Sequence, residues 1–211
     1  HSYSYDDEGR IISVDNGGTA AYTYNADGLR VHRVGAAEGP EDYVYNLSDQ
    51  TVATILANGT SQRREIYAGS LHVATYTFVT TFFDYTDWQG SERVRSNVSG
   101  VSFETCTNLP YGDDQSCVGS SDPSPQHFTG KLRDAETGLD YFGARYYASD
   151  SGRFMLPDWS AVPEAVPYAD PGNPRTLNLY TYVGNNPING IDADGHAAVR
   201  WERIPYQRLL I

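Results

Sequence analysis

The chain has 211 residues, with 15 Lys and Arg against 27 Asp and Glu, a formal charge of −12 and a pI near 4.6. That balance makes nucleic acid and anionic membranes poor partners, and no apolar run approaches the roughly 20 residues a membrane helix needs. The length suffices for one large or two small domains; the 17 tyrosines and single Met favour strands whose aromatic faces stack while their hydroxyls stay hydrated. No signal peptide opens the chain, and it begins at His1, so it reads as a fragment or processed piece with room for an export signal upstream.

Taken in order, the first elements repeat. Tyr3-Ser4-Tyr5-Asp6 leads to Gly9-Arg10-Ile11, and the same grammar returns at Tyr22-Thr23-Tyr24-Asn25 with Gly28-Leu29-Arg30. Tyr43-Val44-Tyr45-Asn46 opens a third, degenerate unit, and Tyr67 and Tyr85 continue the rhythm. Each unit pairs an alternating strand with an Asp/Asn-to-Gly turn, which is hairpin chemistry. Strands are predicted at 10–14, 29–34, 51–56, 64–67, 71–84, 92–97 and 101–105, with Asn58-Gly59 as a turn. Cys106 and Cys117 flank a loop in which Pro110 and Gly112 favour reversal. They form either a disulfide, in an oxidising compartment, or two unlinked buried thiols.

Residues 119–125 (GSSDPSP) read as a loop or linker. Beyond it, 139–147 is predicted as a strand, SDSG as a turn, 153–156 as a strand pairing back, 161–174 as a Pro-rich surface loop and 177–183 as a further strand. Residues 197–211 change character: they carry three basic residues and no Gly. No segment sustains helical periodicity. The fold class is therefore all-β, a strip of stacked hairpins, because a single hairpin buries no face and a stack does.

Chemistry-bearing motifs are sparse. There is no Cys/His metal spacing, the histidines are scattered, and no cofactor is implied. Asp192-x-Asp194-Gly195 resembles the start of a calcium loop, but the required glutamate position falls on Trp201. Asn46, Asn58 and Asn97 head N-glycosylation tripeptides of a kind common by chance. Arg145 and Arg153 are expected to pair with core carboxylates rather than to catalyse, and the tyrosines to pack strand on strand rather than to bind glycans.

Several of these segments carry a resemblance. The Tyr-Asp units resemble YD repeats. Phe83-Asp84-Tyr85-Thr86-Asp87-Trp88-Gln89-Gly90-Ser91 with Arg93 is similar to a segment of rearrangement-hotspot (RHS) proteins. Phe128-Thr129-Gly130, Arg133-Asp134, Glu136-Thr137-Gly138-Leu139, Ala144-Arg145-Tyr146-Tyr147, Gly152-Arg153-Phe154 and Asn178-Leu179-Tyr180 through Asn186-Pro187 resemble the RHS-associated core. The resemblance covers about residues 1–196. It implies a YD-repeat strip at 1–118, a core domain at 119–196 that plugs one end of a spiralling β-shell, and a tail or following segment at 197–211. It also implies a secreted or cell-surface protein, bacterial in origin, that encapsulates or displays a C-terminal effector; the expected partners are that effector, or neighbouring repeats of the polypeptide or assembly. Cell-surface adhesion or carbohydrate binding without cargo is the other expectation.

The same resemblance implies aspartyl self-cleavage just beyond the core. Two carboxylates sharing a site divide the roles of acid and base. They map here to Asp158 and Asp192, with His196–Ala197 as the candidate scissile bond. The match is imperfect: Pro157 stands where the family has Arg, and His196 where it has Leu or Met. Without that Arg, the sequence favours turn-forming aspartates bonded to local N–H groups, in a plug that keeps the remains of a cleavage site. Active self-cleavage after His196 is the alternative.

Overall fold

One local device builds the first half of the chain. At Asp6, Asn25, Asn46, Asp87 and Asn97, the side-chain Oδ1 accepts the N–H groups two and four residues on. The fourth residue of each turn takes a positive φ; Gly9 (+81°) and Gly28 (+82°) adopt it freely, and Asp49 of the degenerate third unit adopts it at +58°. Pairing slips beside these turns, at Ser4/Tyr5, Thr23/Tyr24, Val44/Tyr45 and Arg95/Ser96. A type I turn closed by a left-handed residue and a bulge produces this slip and deepens the twist of the sheet. The preceding tyrosine ties units together: the Tyr24 hydroxyl donates to the Ile11 carbonyl at 2.6 Å and the Tyr45 hydroxyl to the Arg30 carbonyl at 2.7 Å. Each acceptor lies two residues past the positive-φ glycine of the previous turn.

The structure is a computed structural model that describes residues 1–36, 39–119, 124–159, 166–167, 169–196 and the backbone of 198–200. Among the described residues, twelve strands form an antiparallel meander in strict chain order: β1 (Tyr3–Tyr5), β2 (Ile11–Val14), β3 (Ala20–Tyr24), β4 (Arg30–Gly35), β5 (Gly39–Tyr45), β6 (Thr51–Leu56), β7 (Ser61–Ala68), β8 (Leu71–Thr77), β9 (Thr81–Thr86), β10 (Glu92–Ser96), β11 (Ser102–Thr107) and β12 (Ser116–Val118). Cys106 and Cys117 face each other across β11 and β12 and are joined by a disulfide. A second sheet follows: β13 (Leu132–Asp134), β14 (Leu139–Tyr141), β15 (Tyr146–Ala148) and β16 (Arg153–Phe154). A last hairpin pairs β17 (Gly190–Asp192) with β18 (Ala198–Arg200).

The second sheet lies across one face of the strip. Alternation along β15 sends Tyr146 to the strip, where it packs with Ile11, Val14, Ala20, Tyr22, Leu139 and Tyr141. It sends Tyr147 the other way, into Phe128, Phe142, Phe154, Tyr182 and Val183. A buried cation bolts the two sheets together. Arg30 bonds Asp134 at 2.5 Å, both side chains 1% exposed, and its guanidinium lies over the rings of Tyr22, Tyr43, Tyr141 and Tyr146 at 4.5–5.8 Å. Arg33 adds Glu41 on the strip at 2.9 Å and Glu136 on the second sheet at 3.0 Å. The tyrosines thus serve packing, as the sequence led one to expect.

Three predicted strands differ from the observed ones. Residues 71–84 divide into β8 and β9 because Thr77 closes a turn: its Oγ1 accepts the Thr80 N–H, and its own N–H reaches the Thr80 carbonyl. The apolar tip, Phe78-Val79, is exposed and hid that turn. Residues 139–147 divide into β14 and β15 around a reversal in which the Phe142 N–H meets the Arg145 carbonyl. Residues 177–183 form turns rather than a strand. Asn173 caps a 3-10 turn over Pro174–Leu177, Asn178 accepts from the Tyr180 N–H, and only Thr181 bridges to Arg153. Arg153 is exposed, with no ion pair among the described residues, contrary to the pairing expected of it. Residues 161–165 and 168 of the predicted Pro-rich loop, and Ala197 with 201–211, lie outside the described residues.

Candidate site around two aspartates

The turn between β14 and β15 carries Arg145 into the interior, 2% exposed and with its guanidinium stacked 3.8 Å above the Phe154 ring. Two carboxylates converge on it from elsewhere in the chain. Arg145 Nη2 bonds Asp158 Oδ2 at 3.0 Å and faces Asp192 Oδ2 at 3.6 Å. Asp158 is placed by its backbone: its N–H donates to the Leu179 carbonyl at 3.0 Å, and Arg145 Nη1 donates to the same oxygen at 2.8 Å. Asp192 is placed at the end of β17.

The segment after Asp192 is clamped at successive carbonyls. Lys131 Nζ donates to the Ala193 oxygen, the Ala144 N–H to the Asp194 oxygen and Arg145 Nε to the Gly195 oxygen. Two glycines permit this approach. A Cβ at Gly143 would meet the Asp194 oxygen at 3.2 Å, and one at Gly195 would meet the Arg145 nitrogen at 3.1 Å; both also hold φ near +90° (98° and 88°). The Gly195 N–H donates to Asp192 Oδ1 at 2.8 Å. His196 Nδ1 sits 2.9 Å from Asp158 Oδ1, with the Trp159 ring edge-on to the imidazole at 4.5 Å. Asp192 pairs with Ala198 at the end of the β17–β18 hairpin.

The surroundings of the two acids differ. Burial pushes the Asp192 carboxyl above the ordinary aspartate range; Arg145 and the Gly195 N–H oppose the rise, and Asp194 and Asp158 add to it. Asp158 instead receives Arg145, His196 and the Trp159 N–H, the last at 2.9 Å to Oδ1. Burial pushes the half-buried Lys131 ammonium down, with Asp192 and Asp194 opposing.

The structure therefore brings together Asp158, Asp192 and His196. Ala197 lies outside the described residues. Both aspartates do bond a nearby N–H, as turn-formers would, yet they also face each other across one cation. The missing-arginine argument fails on geometry: Pro157 leaves no cation beside Asp158 in sequence, and Arg145, thirteen residues upstream, supplies one through space. Arg145 does pair with carboxylates as expected, but the carboxylates are the candidate pair itself. Lys131 was not foreseen; its position in Phe128-Thr129-Gly130-Lys131 gave no signal, since its target is a backbone oxygen 62 residues away.

A second polar layer lies under β7–β11. Glu65, His72, Thr75, Asp84, Arg95 and Glu104 form a chain of contacts of 2.7–3.4 Å. Burial pushes the neighbouring Glu92 carboxyl up to about 8, against Arg95 and with Asp84. Among the described residues, three potential metal ligands meet at Glu104, Cys106 and Cys117, where both sulfurs are spent in the disulfide.

Comparison with known proteins places these features in context. A family model described as RHS Repeat matches residues 5–41. A protein named tRNA3(Ser)-specific nuclease WapA, from Bacillus spizizenii, is 28% identical over 198 residues, covering 92% of this chain and 7% of its own length. Toxin subunit YenC2 of Yersinia entomophaga is 43% identical over 75 residues, 35% of this chain and 6% of that protein. The crystal structure of TcdB2-TccC3-Cdc42 superposes with a TM-score of 0.66 at 22% identity, covering 92% of this chain and 10% of that one. The chain thus spans a tenth or less of each of these three relatives.

Proposed function

This chain is an RHS (YD-repeat) protein, and from that premise we propose that it is the closing segment of an RHS shell, whose core domain seats on the inner face of the strip and retains the polypeptide that follows. The observation that carries the reading is the bolt between the sheets. The second sheet does not extend the strip edgewise; it covers one face and is fastened there by Arg30–Asp134 and Arg33–Glu136, as a plug must be. Among the described residues the outer edge of β1 has no strand partner, in keeping with relatives many times longer. Toxin-associated names among those relatives support secretion and a C-terminal effector as the retained segment. Electron microscopy of the chain within its complete run of repeats tests this. A hollow shell with density inside is expected; an open sheet, or a shell with the core domain outside it, overturns the reading.

A second reading rests on the convergence of Asp158 and Asp192 at Arg145: the core cuts its own chain after His196. Asp158 takes a proton from a water whose oxygen adds to the His196 carbonyl carbon, while Asp192 gives its proton to the carbonyl oxygen. The diol collapses and the bond to Ala197 breaks. The leaving nitrogen takes the proton held by Asp158, and Asp192 regains one from the diol. One water is consumed, leaving a carboxyl at His196 and an amine at Ala197. Intact mass spectrometry should detect the peptide 197–211 from the wild type and not from Asp158→Asn or Asp192→Asn. An intact wild-type chain across pH 4 to 9 sinks this reading.

A further inference from the structure

We infer that the end of the strip carries a redox-gated metal site: once the disulfide is reduced, the thiolates of Cys106 and Cys117 and the carboxylate of Glu104 bind one thiophilic divalent cation, zinc above all. β11 alternates, so Glu104 and Cys106 point to the same side and are 1% and 3% exposed, while Ser102, Thr105 and Thr107 face solvent. Cys117 stands directly opposite Cys106 on β12, with the Cα atoms 4.2 Å apart. A carboxylate oxygen of Glu104 and both sulfurs therefore lie within 4.8 Å of one another. Around tetrahedral zinc, with Zn–S near 2.3 Å and Zn–O near 2.0 Å, neighbouring ligand atoms are about 3.5–3.8 Å apart. Two sulfurs released from their bond part to roughly van der Waals separation, which is that spacing.

The surroundings tolerate the exchange. Zinc with two thiolates is neutral, as the disulfide is, so the charge of the buried polar layer does not change. Glu104 pairs with Arg95 at 3.2 Å. When the metal takes that carboxylate, Arg95 keeps Asp84 at 3.1 Å and the Phe82 ring at 4.4 Å, so no bare cation is left buried. Gln115 Nε2 donates to the Cys117 sulfur at 3.5 Å, an outer contact that steadies a thiolate. Cys117 is exposed, which admits reductant and metal and leaves a fourth position for water. Two soft sulfurs select zinc over calcium or magnesium. The steps balance. A phosphine, one water and the disulfide give the phosphine oxide and two thiols; zinc then displaces the two thiol protons to solvent. The strip end is thus stapled by a covalent bond in an oxidising medium and by a metal in a reducing one.

The test uses the 211-residue chain, whose only cysteines are these two. It is reduced by a phosphine under anaerobic conditions and titrated with Co(II), then with Zn(II). One equivalent of cobalt should bind with a Kd of about 1 μM or tighter, with thiolate-to-cobalt charge-transfer absorption that zinc abolishes. The unreduced chain should show no such band. X-ray absorption of the zinc form should count two sulfurs at about 2.3 Å, with the remaining ligands oxygen at about 2.0 Å. Cys117→Ser should lose tight binding, and Glu104→Gln should keep the charge-transfer band while weakening affinity by about 10²-fold. Zinc should also return hydrogen exchange at Ser116–Val118 from the fast rate of the reduced, metal-free chain to near that of the disulfide form. Absence of the band at millimolar cobalt overturns the inference. Four sulfurs per zinc, which is a metal bridging two chains, overturns it as well, and so does exchange that stays fast in the zinc form. Wild-type affinity in Glu104→Gln removes the carboxylate from the site and overturns it too. Should Glu104→Gln fail to fold, the sulfur and oxygen count on the wild type decides alone.

Discussion

Two buried arginines of this molecule do different work with the same chemistry. Arg30 meets one carboxylate, Asp134, and spreads its remaining surface over four tyrosine rings. Arg145 meets two carboxylates from separate elements, two backbone carbonyls and one ring. Asp134 also faces the Arg33 guanidinium at 3.7 Å, so this acid is shared between two cations that fasten the sheets. At Arg145 the cation is shared between two acids, and burial pushes the carboxyl of one of them, Asp192, up. Burial is nearly identical at the two sites; what separates them is that Arg145 also holds backbone carbonyls, of Leu179 and Gly195, whereas Arg30 is surrounded by rings.

The sharpest way to break the comparison is to neutralise one acid at each site. Asp192→Asn should stop release of 197–211, a loss on the order of 10³-fold, yet leave stability within about 1 kcal/mol, because burial already disfavours the charged form at this position and the amide oxygen can still accept from the Gly195 N–H. Asp134→Asn should do the reverse. It strands the Arg30 charge in a tyrosine cage and destabilises the fold by about 3–5 kcal/mol in urea titrations. Replacing the pair together, Arg30→Met with Asp134→Leu, should recover most of that loss. Equal stability losses at the two sites would erase the distinction.

How much of this was legible in the sequence follows from the range of the interactions. The repeat was readable because everything in it is local: Asp6 and Asn25 bond N–H groups two and four residues on, and the glycine beside them sets the turn. The all-β class and the meander followed from that period. The Thr77–Thr80 turn was missed because its closing atom is a hydroxyl and its tip is apolar. At the site, the aspartates were named by motif position, but their cation was sought next to Asp158 in the chain. Arg145 stands thirteen residues from Asp158 and forty-seven from Asp192, and only the β14–β15 reversal brings it between them. No spacing rule encodes that.

Smaller effects belong to the strip, where polar burial lacks so neat a closure. Burial holds the Glu92 carboxyl at about 8, well above an unfolded glutamate. The folded chain therefore keeps a proton that the unfolded chain releases, and stability falls as pH rises from about 4.5 to 8. Glu92→Gln removes that fall. Urea titrations should find the variant equal to wild type below pH 4.5 and more stable by a few kcal/mol at pH 8; a constant difference across that range would contradict the assignment.

The smallest expected change tests whether the strip end depends on its disulfide. β12 is three residues long, its residues are exposed, and among the described residues its only strand partner is β11. The Cys106–Cys117 bond closes a loop with a separation of 11 residues, for which chain entropy gives about 2–3 kcal/mol. Reduction should therefore lower stability by at most that amount. Because Arg145, Asp158 and Asp192 make none of their described contacts with β11 or β12, it should leave any cut at 196–197 unchanged. Hydrogen exchange should speed up at Ser116–Val118 and stay slow at β14 and β15, where the aromatic core and the Arg30 bolt hold independently of the strip's last strand. Faster exchange in β14 after reduction would mean that the plug is fastened through the end of the strip rather than through its face.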